Sequence, residues 1–188
     1  MKSRDLAYIA LFAAIIAVLG LLPAVYPLGS TVPITAQTLG VMLAGSVLGA
    51  RRGALAVLTF LVVVAIGLPV LSGGRGGLAV FAGPSAGYLY SWPLGAFVIG
   101  MITQLSWRRF NLGWALVANL VGGVAVIYAI GIPFVTVYTD ASLTAAASSA
   151  GSFIPFDLVK AGIASVVAVA VHKAYPVIEV PRRRPAAG

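Results

Sequence analysis

The sequence contains no cysteine, one histidine and four acidic residues among its 188 positions. Without cysteine, disulfides, iron–sulfur clusters and thiol catalysis are excluded. The lone His172 has too few acidic neighbours to build a metal site, and no Ser–His pair is expected within reach on one face. No glycine-rich phosphate-binding motif lies between a strand and a helix. We therefore expect no metal, no cofactor and no enzymatic activity.

Charged residues of both signs are scarce. They make up 9% of the chain, against 61% hydrophobic residues and a mean hydropathy of +1.06. A soluble domain carries about 25% charged residues, so this chain could not cover itself in water. Six apolar segments approach the roughly 20 residues that span a bilayer. We predict an all-α integral membrane protein with one domain over 1–188, a basic tail over 176–188, and transmembrane helices near 5–22, 35–50, 53–68, 84–106, 112–132 and 154–175.

The basic residues lie mostly at one end of these segments. With a cytoplasmic N-terminus, ten of the twelve fall on the cytoplasmic side: Lys2, Arg4, Arg51, Arg52, Arg108, Arg109, Lys173, Arg182, Arg183 and Arg184. The positive-inside rule predicts this asymmetry and places both termini in the cytoplasm. The net charge of +8 is therefore interpreted as an orientation signal that also contacts membrane lipid headgroups. No basic patch interleaved with aromatics indicates nucleic-acid binding.

Two cations, Arg75 and Lys160, are the exceptions and fall at the outer end. Ionisable groups at that depth are costly and usually line a cavity or a pathway. Lys160 shares the first turn of its helix, which Pro155 starts, with Asp157. The pair could be structural, with Asp157 capping the helix and Lys160 neutralising it, but apolar residues would fill that turn at lower cost. We predict a binding site for a small anionic solute, open to the outside.

Arg75 lies between two pairs of glycines in the segment Ser72–Gly77. Glycine tolerates positive φ, so such a loop can bring backbone N–H groups close to a ligand. The alternative is a flexible outer loop with a solvated arginine. We favour a binding role, because Arg75 is the one cation in any predicted outer loop and guanidinium groups bind carboxylates through paired donors.

Other polar and aromatic residues lie near the predicted helix ends. Thr35 could cap the second helix or line the pocket, whereas an unpaired amide such as Gln37 is costly near hydrocarbon and favours a pocket role. Tyr88, which follows a Gly-Pro turn, is predicted to pack against the ligand, although interfacial aromatics also occur there. Asn119 is expected to make a helix–helix hydrogen bond. The segment 133–152 is predicted to be an outer loop.

The first apolar segment carries two pairs of alanines four residues apart, Ala10/Ala14 and Ala13/Ala17. Small residues at this spacing share one helix face and let another helix approach closely. The pairs indicate either tight packing within the domain or a docking face for a second membrane protein.

Six stretches, in this order along the chain, resemble one known family: Val32–Val41, Leu48–Gly53, Gly67–Val70, Gly73–Gly77, Gly83–Leu89 and Pro155–Lys160. The sequence is similar to the BioY family, the biotin-specific substrate-capture components of prokaryotic energy-coupling-factor (ECF) transporters. The resemblance covers almost the whole chain. It implies six helices in the cytoplasmic membrane and high-affinity biotin capture at the outer face.

The resemblance also implies partners and contacts. It implies association with a transmembrane coupling protein and a pair of cytoplasmic ATPases, with the small-residue face of the first helix as the docking surface, at Ala10 and Ala14 and also at Ala13 and Ala17. It implies ligand contacts at Asp157 and Lys160. Arg75 is our own assignment for the carboxylate of biotin, on charge and position.

The main alternative is a self-sufficient secondary transporter of a small carboxylate or vitamin, with Asp157 as a proton-coupling carboxylate. Such transporters have internal repeats and broken helices near the bilayer midplane. The sequence has no internal repeat, and the ionisable residues predicted to lie within the membrane cluster at one end. Uptake by vesicles with ATP, without ATP and with the proton gradient collapsed distinguishes the two functions.

Overall fold

The structure, a computed structural model, describes residues 1–26 and 32–178. Residues 27–31, between the first two predicted helices, and the predicted basic tail from 179 onward lie outside the described residues. The described part is helical and contains no named strand. Its α-helices are α1 (Ser3–Gly20), α2 (Gln37–Leu48), α3 (Ala50–Ala65), α4 (Ala86–Leu105), α5 (Leu112–Leu120), α6 (Ile127–Thr139), α7 (Leu143–Gly151) and α8 (Ile154–Ala174), joined by 3₁₀ turns at Leu78–Ala82 and Trp107–Arg109 and a π-helix at Val121–Val126.

Three helical stretches of the described residues are long and apolar enough to cross a membrane: Ser3–Gly20, Leu112–Thr139 and Ile154–Ala174. Gln37–Leu48 is apolar but has only 12 residues. Large apolar side chains such as Val62 and Val166 are more than half exposed, as expected for helices that face lipid. The all-α class is therefore confirmed, whereas the number of spans and their orientation stay predictions.

The fifth apolar segment is longer than predicted. The chain runs through α5, the π-helix and α6 without a break from Leu112 to Thr139, with Pro133 inside α6. The prediction of an outer loop over 133–152 is therefore wrong for most of that range. Proline is tolerated inside membrane helices when neighbouring groups satisfy the freed carbonyl. α7 then forms because its alanines favour helix and the Ser142 hydroxyl caps it by accepting from the N–H of Ala145.

The turn between α2 and α3 consists of Gly49 alone, whose φ of +82° favours glycine. The break predicted between the helices near 35–50 and 53–68 is therefore shorter than expected, and Arg51 and Arg52 lie in the first turn of α3. Arg52 binds the Asp5 carboxylate at 3.1 Å and the carbonyl of Val177 at 2.8 Å. It thereby joins the start of α1, the start of α3 and the segment after α8.

α4 lies in the middle of the bundle and packs against α2, α3, α6 and the π-helix. Its backbone approaches the π-helix so closely that a Cβ on Gly95 would lie 2.7 Å from the carbonyl oxygen of Gly122. Beside this contact, the buried Asn119 accepts from Ser46 at 2.9 Å and donates to Ser165 at 3.0 Å. These bonds join α5 to α2 and α8, which confirms the helix–helix role predicted for Asn119.

Candidate functional site

A cavity with about 570 Å³ of space between protein atoms, part of it open to solvent, lies where α2, α4 and α8 begin. Apolar and aromatic side chains form most of its wall, with polar groups at a few points. Each of the predicted ligand-binding residues lines this cavity: Asp157, Lys160, Arg75, Tyr88, Gln37 and Thr35.

The polar centre of the cavity is a hydrogen-bonded cluster around Asp157, whose side chain is buried. Lys160 Nζ donates to Asp157 Oδ1 at 2.8 Å and to Thr38 Oγ1 at 3.0 Å. The Thr38 hydroxyl donates weakly to Oδ1 at 3.4 Å, and the Tyr128 hydroxyl donates to Oδ2 at 2.5 Å. Three helices therefore hold one carboxylate, and the Lys160 ammonium retains one N–H that these bonds do not use.

The first turn of α8 presents this ion pair because Pro155 starts the helix and leaves Asp157 and Lys160 one turn apart. No side-chain capping bond forms at the start of α8, so Asp157 does not cap the helix. Desolvation of a buried ion pair offsets much of its attraction, so a pair of apolar residues would stabilise the fold about as well. The pair therefore has no clear advantage for stability at the edge of a cavity.

Arg75 reaches the cavity from the loop between α3 and α4. Gly73 and Gly74 have φ of +80° and +68°, which allows the loop to fold back so that Leu71 and Arg75 form an isolated bridge. Arg75 Nε donates to the carbonyl of Ser72 at 3.2 Å. Among the described residues, neither Nη group of Arg75 has a hydrogen-bond partner, so the planar end of the guanidinium can bind an anion in the cavity.

Gln37 lines the cavity, but its amide is bonded to backbone. Its Nε2 donates to the carbonyls of Ile16 at 3.3 Å and Val70 at 3.2 Å, and its Oε1 accepts from the N–H of Ser72 at 3.1 Å. The amide thus joins α1, α2 and the loop that carries Arg75. Thr35 lies nearby and accepts from the N–H of Gln37 at 3.3 Å, the helix-start role that its sequence position also allowed.

Aromatic rings form one wall of the cavity. Tyr88 and Trp92, four residues apart on α4, both line it, whereas Tyr90 points outward and is half exposed. The rings of Tyr88 and Tyr128 meet edge to face with centroids 6.3 Å apart. Sequence reasoning missed Tyr128 and the part played by Thr38, and it ranked Trp92 below Tyr88 as an aromatic residue of the pocket. The helical spacing of Trp92 from Tyr88 was an available signal for Trp92.

The two alanine pairs of α1 face different surroundings. Ala10 and Ala14 are exposed on the outer face of the bundle, while Ala13 is buried and packs in the core. Ala17 is half-buried and lies against the same core. The structure therefore distinguishes the two pairs: Ala13 packs internally, whereas Ala10 and Ala14 are exposed.

His172 lies at the end of the bundle opposite the cavity. His172 Nε2 lies 2.8 Å from the carbonyl of Ser46, and the ring stands edge-on to Trp107 and Phe110. In the part of the chain that the structure describes, no group of three or more His, Cys, Asp or Glu is arranged to hold a metal ion. The cavity where α2, α4 and α8 begin, by contrast, holds the buried Asp157–Lys160 pair.

Comparisons with known proteins agree with this geometry. Residues 1–177 match the model of the BioY family. The chain is 50% identical to the biotin transporter BioY of Rhizobium etli, covering 95% of this chain and 98% of that protein, and 47% identical to the one of Rhodobacter capsulatus, covering 92% and 95%. The fold is similar to a crystal structure of the S-component for biotin from an ECF-type ABC transporter, with a TM-score of 0.86, 33% identity and coverage of 92% and 95%.

Proposed function

The chain belongs to the BioY family, and we propose that it captures biotin at its cavity as the substrate-binding subunit of an ECF-type transporter in the cytoplasmic membrane of a prokaryote. The observation that carries the proposal is the buried cluster of Asp157, Lys160, Thr38 and Tyr128 at the wall of the cavity. Biotin is a monocarboxylate with an apolar chain and a ureido ring that both donates and accepts hydrogen bonds. The cavity contains groups that match each of these parts.

The ion pair of Asp157 and Lys160 can form hydrogen bonds with the ureido ring. Asp157 Oδ2 keeps one lone pair beside its bond from Tyr128 and can accept from a ureido N–H group, and the remaining N–H of Lys160 can donate to the ureido oxygen. Each of these bonds involves a charged protein group in a buried place, so each contributes about 1.5–3 kcal/mol. The cost of keeping the pair buried is then offset by the ligand.

The carboxylate of biotin suits Arg75. A guanidinium with both Nη groups unpartnered can form two parallel bonds to a carboxylate. The loop that carries Arg75 is tied down through Ser72, so little conformational freedom is lost when the ligand binds. Between the two polar ends, Tyr88 and the apolar wall of the cavity contact the rings and the chain.

Titration of the purified, detergent-solubilised chain with labelled biotin tests the proposal. We expect stoichiometric binding without ATP and without added metal, because the predicted ligand contacts come from the protein's own side chains. Biotin esterified at its carboxylate serves as the matched probe and should bind more weakly. A monodisperse protein that ignores biotin and binds another vitamin tightly would disprove the substrate assignment.

We propose further that the exposed Ala10/Ala14 face docks a transmembrane coupling protein, which works with cytoplasmic ATPases. Its support is the resemblance to the family together with the exposure of these two alanines on α1. Energy for uptake would then come from the partners, since no nucleotide-binding motif is present in the sequence.

The proposed topology places six spans with both termini in the cytoplasm. Because the chain contains no cysteine, single cysteines can be labelled without background. Cysteine at Ser3 or Ala187 should stay unlabelled by an impermeant thiol reagent in intact cells, and cysteine at Ala145 on α7 should react. Labelling at either terminal position before the cells are permeabilised would contradict this orientation.

A further inference from the structure

The indole N–H of Trp92 is a buried hydrogen-bond donor without a partner. The side chain is 5% exposed and lines the cavity, and no acceptor among the described residues bonds to Nε1. An unpaired buried N–H costs about 1–3 kcal/mol, and most such groups in proteins are paired. In the described part of the chain, the other buried side-chain atom of this kind is Nδ1 of His172, which does not line this cavity.

The aromatic neighbour of Trp92 does not satisfy this donor. The Phe60 ring stacks on the indole with centroids 6.2 Å apart and an angle of 29° between the planes. The N–H bond lies in the indole plane and therefore runs nearly parallel to the Phe60 ring. It cannot point at the face of that ring, where an N–H bond to an aromatic would form.

The position of Trp92 relates the donor to the polar cluster. Trp92 follows Tyr88 by one turn on the same face of α4, about 6 Å further along the helix axis. Tyr88 packs edge to face on Tyr128, and the Tyr128 hydroxyl binds Asp157. Trp92 therefore lies on the same wall of the cavity as Tyr88, whose ring contacts the cluster proposed to hold the ureido ring.

Resting on the proposed function, we propose that the Trp92 N–H donates to the ureido carbonyl oxygen of biotin. A carbonyl oxygen has two lone pairs and accepts two donors. Lys160 has one N–H left after its bonds to Asp157 and Thr38, so it can supply one of them and Trp92 the other. The carboxylate is assigned to the charged donors of Arg75, which leaves the uncharged indole N–H to the uncharged ureido oxygen.

Replacement of Trp92 by phenylalanine tests the proposal, because it keeps an aromatic ring and removes the donor. Trp92→Phe should weaken biotin binding about tenfold, which corresponds to roughly 1.4 kcal/mol. Desthiobiotin, which lacks sulfur, and biotin amide, which lacks the carboxylate, should lose the same factor because both retain the ureido oxygen. 2-Iminobiotin, whose cationic form lacks the acceptor, should bind both chains equally.

Equal weakening of 2-iminobiotin and biotin would overturn the proposal and indicate lost ring packing or a bound water. A loss that disappears with desthiobiotin would assign the N–H to the sulfur, and one that disappears with biotin amide would assign it to the carboxylate. Trp114→Phe is the matched control, because Trp114 is 43% exposed and does not line the cavity. It should leave the affinity for biotin unchanged.

A spectroscopic measurement covers the case in which Trp92→Phe fails to fold. The chain has three tryptophans, so the double variant Trp107→Phe, Trp114→Phe leaves Trp92 as the single indole. Its ultraviolet resonance Raman N–H band should shift to the hydrogen-bonded position when biotin is added, and should not shift with 2-iminobiotin. Bound biotin without a band shift would disprove the Trp92 assignment alone, whereas absence of biotin binding by the unmodified chain would disprove the proposed function.

Discussion

Alanine at Asp157 or at Lys160 is expected to weaken biotin binding by about 1.5–3 kcal/mol, or roughly 10- to 150-fold, and alanine at both should recover nothing. The reason is that each residue contributes its own charge-assisted bond to the ureido ring. Isothermal titration or labelled-biotin binding to the two single variants and the double variant measures the effect. The cluster is at the edge of a cavity that opens to solvent, so the variants should remain folded and monodisperse.

A purely structural ion pair makes the opposite prediction. Removing one partner leaves a buried charge unpaired, so the double variant would then be less harmful than either single one. A double variant that binds biotin like the unmodified chain would rule out the proposed site. Asp140→Asn is the matched control: it removes an acidic charge at an exposed position after α6, keeps a residue type that tolerates positive φ, and should not change the affinity.

The second large effect is expected when larger side chains replace the exposed alanines of α1. Tryptophan at Ala10 and Ala14 should abolish ATP-driven uptake in cells that contain the coupling partners, and should leave biotin binding by the isolated chain nearly unchanged. Both alanines are exposed, so larger side chains can point outward without disturbing the core. Uptake is lost because the larger side chains prevent the close approach of a partner helix. Uptake of labelled biotin and binding of biotin are measured on the same variants.

Two control variants distinguish a loss of docking from a general loss of folded structure. Val166→Trp places the same bulk on a side chain of α8 that is 57% exposed, and should leave uptake intact. Ala13→Leu introduces bulk at a buried position and should destabilise the fold. If Ala10 and Ala14 variants lost binding and uptake to the same extent, that face would have to pack within the domain, and the docking proposal would fail.

Some features of the site could be predicted from the sequence because their cause is local. Pro155, Asp157 and Lys160 define the start of α8 and the side on which its ion pair lies, and both residues of the pair line the cavity. The glycines around Arg75 allowed positive φ in that loop, and the structure has three of the four, Gly73, Gly74 and Gly77, at positive φ. In each case the residues within one or two turns of the feature were sufficient to predict it.

Other features depend on which face of a helix is buried. The sequence of a helix that is apolar on all sides does not show which face that is. α1 is apolar nearly all round, so hydrophobic periodicity cannot distinguish the exposed Ala10 from the buried Ala13. For the same reason Tyr128, within the longest apolar stretch, carried no signal that it would meet Asp157. The extra turns of α6 beyond Pro133 were missed because proline usually ends a helix in water, whereas membrane surroundings tolerate it.

The side chain of Gln37 connects α1 to the loop that carries Arg75. Its amide holds the carbonyl of Ile16, on the helix proposed to dock the partner, and two backbone groups of the loop that carries Arg75. The Ser72 hydroxyl adds a bond to the carbonyl of Leu22 just after that helix. If a docked partner tilts α1, the loop that carries Arg75 must therefore move together with α1, or buried hydrogen bonds must break. The helix proposed to dock the partner is therefore mechanically coupled to the mouth of the cavity through these hydrogen bonds.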